Sequence, residues 1–127
     1  MLENGYIKLY RSLLSWEWYD STETVRLFIH LLLTANYEPK QWRGITIERG
    51  QRVCSIATLS KETSLSPRTV RTCIERLIST SELTKLSTPQ YTVLSIKNYD
   101  VYQSPPVSNN GLENVIWNRT KPIRTLR

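Results

Sequence analysis

Three observations predict a mainly α-helical fold with small β-hairpins, arranged as a winged helix-turn-helix. Residues 55–79 carry two amphipathic helical patterns separated by the turn Ser64-Leu65-Ser66. Two β-like runs, residues 82–86 and 91–96, follow at once and flank Ser87-Thr88-Pro89-Gln90. Upstream, the apolar run between Val25 and Leu33 supplies a longer helix. The 127 residues, 39% of them hydrophobic, are enough for one core of ordinary single-domain size.

At the N-terminus Ile7, Leu9, Tyr10, Leu13 and Leu14 recur at mixed helical spacing, which predicts a short first helix beginning near Lys8. Trp16, Trp18 and Tyr19 come next, an aromatic cluster expected to pack under the core, with a subunit contact as the alternative. Ser21-Thr22-Glu23-Thr24 offers hydroxyls that cap free backbone amides, and Glu23 sits where the helix dipole favours an acid. A helix is expected from there to about Asn36, and its near-continuous apolar character marks it as the central buried one. His30 lies inside it and reads as a packed side chain rather than a catalytic base. Pro39, Lys40 and Gly44 give residues 37–44 a loop composition. Ile45-Thr46-Ile47 is β-like, Glu48-Arg49-Gly50-Gln51 supplies a turn, and Arg52-Val53-Cys54 is expected to return against it as a small hairpin.

Ser55 then caps a helix through Ile56 and Leu59 to Glu62 or Thr63. Ser66 caps the next, with Pro67 at its first position, where a missing amide hydrogen costs nothing. At 100° per residue Val70, Ile74 and Leu77 share a face, with Cys73 and Ile78 on its flanks. The other face carries Arg68, Thr72, Glu75 and Ser79, with Arg71 beside it. A second helix that exposes Arg and Thr near its start is what reading a major groove requires. Arginine forks onto guanine O6 and N7 or binds phosphate, threonine offers a hydroxyl and a methyl to base edges, and the first backbone amides meet phosphate. The candidate DNA-binding residues are Arg68, Thr69, Arg71, Thr72 and Glu75 on the helix and Lys85 on the hairpin. The alternative is a solvated polar face. Because the hairpin tip has no basic residue and only Lys85 sits nearby, its contribution to phosphate binding is expected to be modest.

The formal charge of +6 and a pI near 9.5 favour a polyanionic partner. Residues 1–104 hold 13 basic and 10 acidic side chains and residues 105–127 hold 4 and 1, so each part carries +3. Within residues 49–85 the count is 7 basic to 3 acidic. Cys54 and Cys73 lack zinc-site spacing and read as small buried hydrophobes. No stretch approaches the roughly 18 apolar residues of a membrane span, and the first eight residues lack the order of a signal peptide. A cytoplasmic location without membrane contact is expected. With one histidine, no glycine-rich phosphate loop, no metal-ligand cluster and no nucleophile paired with a base, neither enzyme activity nor a metal or cofactor is expected.

Assembled, these stretches resemble the N-terminal winged-helix domain of phage replisome organiser and DnaD-like DNA replication proteins. The resemblance spans residues 5–103 and rests on Gly5-Tyr-Ile-Lys-Leu-Tyr-Arg-Ser-Leu-Leu with Trp16-Glu-Trp-Tyr, Arg26-Leu-Phe-Ile-His-Leu-Leu-Leu, Trp42-Arg-Gly-Ile-Thr-Ile with Arg49-Gly-Gln, and Asn98-Tyr-Asp-Val-Tyr-Gln. It implies a winged helix, DNA binding at replication origins, and often a separate C-terminal domain that helps bring in the replicative helicase. The sequence departs from the family's common pattern at Ser60, where alanine is frequent, and at Ser64, where glycine is. A positive φ at Ser64 would cost on the order of 1 kcal/mol relative to glycine.

Residues 1–103 are thus assigned to a winged-helix DNA-binding domain, and residues 104–127 to a linker-like basic tail expected to be flexible and not to recruit helicase. In the tail Leu112, Val115 and Ile116 have helical spacing beside Trp117, suiting a short docking helix, while Arg119, Lys121, Arg124 and Arg127 add phosphate attraction. The partners expected are double-stranded DNA, a second copy of the chain through its aromatic N-terminus, and replisome proteins. A transcriptional regulator built on the same helices and a self-associating replisome scaffold are the alternative readings.

Overall fold

The structure, a computed structural model, describes residues 5–103. A 3-10 turn, Arg11–Ser15, leads to α1 (Thr22–Thr34), β1 (Lys40–Trp42), β2 (Ile45–Ile47) and β3 (Gln51–Cys54). Then follow α2 (Ile56–Thr63), α3 (Pro67–Ser79), β4 (Leu83–Ser87), β5 (Thr92–Ile96) and α4 (Tyr99–Gln103). The tail residues, among them Leu112, Val115, Ile116, Trp117 and the four basic side chains, lie outside the described ones.

The mainly α class is corrected. Helices account for 44% and strands for 20% of the described residues, with two small antiparallel sheets, so the fold is mixed α/β. Two pairings produce the change. Lys40–Trp42, inside the segment of loop composition, forms a ladder with β2 that sets Lys40 opposite Ile47 and Trp42 opposite Ile45. Gln51–Cys54 does not return against β2; it pairs with β5, Gln51 opposite Ser95 and Cys54 opposite Thr92, giving the order β3-β5-β4. Local periodicity carries no information about a partner strand so far along the chain.

The expected first helix is also absent from Lys8. The Lys8 backbone N–H donates to Gln103 Oε1 at 2.8 Å and its carbonyl accepts from Gln103 Nε2 at 2.9 Å. The buried Gln103 amide thereby takes the Lys8 carbonyl, which a helix starting there would have used, together with its N–H. Only Arg11–Ser15 winds, as a 3-10 turn.

The core joins Leu27, Leu31 and Leu32 of α1, Leu59 of α2, and Val70, Cys73, Ile74 and Leu77 of α3 to Leu83, Leu94, Ile96 and Tyr99. α3 packs against α1, α2 and β4. α1 buries Thr24, Leu27, Leu31 and Leu32, with Val25, Phe28 and Ile29 half-buried, and leaves Leu33 59% exposed. Trp16 packs on Phe28 with ring centroids 5.0 Å apart and donates Nε1–H to Glu82 Oε2 at 2.8 Å. Trp18 donates to Thr80 Oγ1 at 2.9 Å. The two indoles therefore fasten the N-terminal segment to the chain leaving α3, while Tyr19 stays exposed.

Gly50 is required by its surroundings. Its φ is +81°, and a Cβ there would lie 2.7 Å from Tyr99 Cβ. Its N–H donates to the Asn36 carbonyl at 2.7 Å and its carbonyl accepts from Ile96 N–H at 2.9 Å, linking the end of α1 to the larger sheet. Among the described residues no helix is long and apolar enough to cross a membrane.

Candidate nucleic-acid interface

The helix pair is built from caps inward. Thr58 N–H donates to Ser55 Oγ at 3.1 Å to start α2, and Thr69 N–H donates to Ser66 Oγ at 3.1 Å to start α3, with Pro67 in its first turn. Between them Ser64 takes the left-handed conformation, φ 63°. The turn it makes is braced from three sides. Ser60 donates its hydroxyl to the Leu65 carbonyl, Leu65 N–H donates to Thr63 Oγ1, and Arg26 Nε–H donates to the Thr63 carbonyl at 2.7 Å. Ser60 and Ser64 thus meet at one turn.

With Val70, Cys73, Ile74 and Leu77 buried beneath it, α3 turns Arg68, Arg71, Thr72 and Glu75 to solvent. Thr69 is half-buried, and its Oγ1 accepts from the Ser66 hydroxyl at 2.9 Å, so it belongs to the cap as much as to the exposed face. Lys85 is exposed on β4. A cleft of about 140 Å³ between α3 and the β4–β5 hairpin brings Arg71 and Glu75 together with Lys85, Ser87 and Thr92. Arg68 and Thr72 lie outside that cleft.

The basic residues divide by what they already hold. Arg26 is spent on the Thr63 carbonyl, Arg49 on Asp100 and the Tyr37 carbonyl, and Arg52 on Glu62. Arg76 donates to Ser21 Oγ and Thr24 Oγ1 and lies 5.5 Å from the Trp18 ring. Arg68 and Arg71 have no ion pair or hydrogen bond from their side chains among the described residues. Of the seven basic side chains in residues 49–85, Arg49, Arg52 and Arg76 therefore serve the fold, and the uncommitted charge gathers on α3, Lys61 and Lys85.

On this face an arginine pair suits guanine edges or phosphate, and Glu75 accepts from a cytosine amine while repelling phosphate. Cys54 also lines the cleft, and burial pushes its thiol up to about 11, so it stays protonated and a weak nucleophile at neutral pH. His30 is half-buried with Nε2 2.7 Å from Glu62 Oε1, which engages it in the fold. Among the described residues no group of three or more His, Cys, Asp and Glu is placed to hold a metal.

One contact of the β4–β5 hairpin is not legible in the sequence. Trp42, beside the β1–β2 turn that carries Arg43, meets Tyr91 edge-on with ring centroids 5.1 Å apart and so joins the two hairpins. No local pattern links these residues; Trp42 next to Arg43 in a polar loop is the only hint. The chain matches no family model, no curated protein and no solved structure.

Proposed function

We propose that the protein binds duplex DNA by laying α3 in the major groove, with Arg68 and Arg71 as the principal contacts. The observation that carries this reading is that these two arginines are exposed and uncommitted at the start of a helix whose opposite face is fixed in the core, while Arg26, Arg49, Arg52 and Arg76 are all engaged. A helix rigidly seated from behind loses little freedom on docking, so its side chains meet base edges already placed. The groove, about 12 Å wide, accommodates one α-helix. Thr72 and Glu75 add hydroxyl and carboxylate contacts on the same face, and Lys85 meets a flanking phosphate.

On the strength of the resemblance to replisome organiser and DnaD-like proteins, the proposed setting of this binding is a replication origin in the cytoplasm, with recognition rather than catalysis as the protein's work. Fluorescence anisotropy with origin-derived and scrambled duplexes over a range of salt concentrations tests it. Tighter binding of the origin duplex, weakening with salt by about 0.9 log units per log unit for each phosphate contacted, is the expected outcome. Absence of binding to both duplexes at low salt overturns the reading.

A further inference from the structure

We infer that Arg43, at the tip of the β1–β2 hairpin, is a second DNA-phosphate contact, supplying the positive charge that the β4–β5 tip lacks. The inference rests on the duplex-binding reading above and extends it to an element that the helix pair does not include.

Residues 88–91, the tip of the β4–β5 hairpin, hold no basic side chain, and Lys85 is set back along β4. The neighbouring hairpin fills the gap. Tyr91 and Trp42 pack edge to face at 83°, and the Arg43 guanidinium carbon lies 5.1 Å from the centre of the Trp42 ring. A stack of three side chains thus runs from one hairpin to the other and ends in a cation. Arg43 is exposed and has no carboxylate partner among the described residues. Trp42 is half-buried, so the ring positions the guanidinium without enclosing it.

The turn itself points the same way. Arg43 has φ 47° and Gly44 φ 82°, the two left-handed residues of a tight hairpin whose first position favours asparagine, aspartate or glycine. An arginine there is locally unfavourable, and its guanidinium is placed over the Trp42 ring. Lys85 lines the cleft facing α3 together with Arg71, and it lines the groove facing β2 together with Ile45, Leu86 and Tyr91. Lys85 thus stands at the edge of the larger sheet between the two, and in this proposal the backbone flanking a duplex centred on α3 passes Lys85 and reaches Arg43.

Arg43→Asn tests this, because asparagine tolerates the left-handed turn while removing the charge. On a duplex extending well beyond the base pairs under α3, the variant is expected to bind about 3- to 10-fold more weakly and to lose about 0.9 from the salt slope, one phosphate's worth. Its melting temperature should equal or exceed that of the parent, Arg43→Lys should keep the parental slope, and trimming the duplex to the α3 site should erase the difference. Parental affinity and slope for Arg43→Asn on the long duplex, with Arg68→Ala/Arg71→Ala losing binding, overturns this inference alone and leaves a solvated turn residue. Absence of binding by the parent protein fells the α3 reading and this inference with it.

Discussion

Arg52 grips Glu62 through both terminal nitrogens, Nη1 to Oε1 at 2.8 Å and Nη2 to Oε2 at 2.9 Å, while His30 Nε2 sits 2.7 Å from Oε1. Three elements meet at that carboxylate: β3, α2 and α1. The arrangement ties α1 and α2 to the larger sheet through β3.

The Arg52 hydrogen bonds, with His30 second, hold the Glu62 carboxyl at about 2, against an ordinary 4.5. A depressed carboxylate contributes stability that is complete above pH 4.5 and is lost as the pH falls toward 2. Glu62→Gln should therefore flatten the melting-temperature profile through that window. At neutral pH it should cost roughly 1–3 kcal/mol, because Arg52, whose side chain is only 16% exposed, loses its carboxylate partner. A profile for the variant that falls as steeply as the parent's over the same interval would remove Glu62 from the account.

The turn between α2 and α3 yields a pair of opposite effects. Ser64→Gly relieves the left-handed serine and should raise stability by about 0.5–1 kcal/mol. Ser60→Ala deprives the Leu65 carbonyl of its donor and should lower it by about 1 kcal/mol. Urea denaturation of both variants provides the check, and a destabilised Ser64→Gly protein contradicts the strain.

Gly50→Ala combines a positive φ with a Cβ driven into the buried Tyr99, and should cost roughly 2–4 kcal/mol. The measurement is thermal or chemical unfolding. Near-parental stability would mean that Tyr99 and α4 shift aside without penalty.

Arg68→Ala/Arg71→Ala should reduce affinity for an origin duplex on the order of 100-fold or more, with the fold intact by circular dichroism, since each good base contact is worth about 1–3 kcal/mol. Preserved DNA affinity together with lost binding to a replisome protein would instead favour the scaffold alternative.

The parts legible in the sequence are those written locally. Ser55, Ser66 and Pro67 announce helix starts within a few residues of their effect, and the spacing of Val70, Ile74 and Leu77 names the buried face of α3. The hairpin around Pro89 likewise forms where its flanking runs predict, as Leu83–Ser87 against Thr92–Ile96. What escaped depends on partners remote in the chain. Lys40–Trp42 has no alternating pattern and becomes a strand by pairing, β3 finds β5 rather than β2, and Lys8 is kept out of a helix by Gln103. At the site, composition counts Arg49, Arg52 and Arg76 equally with Arg68 and Arg71. Only the folded arrangement separates those that cement the domain from those left open.

The Gln103 clasp on Lys8 has a consequence for whatever is joined to this domain. Both ends of the described chain depart side by side, in a pocket wall shared with Thr80, Ser81 and Glu82 at the far end of α3. The twelve residues of helix rise between Arg68 and Thr80 amount to roughly 18 Å. If α3 engages nucleic acid as proposed, a passenger held beside Lys8 and Gln103 would not compete with it for the same surface.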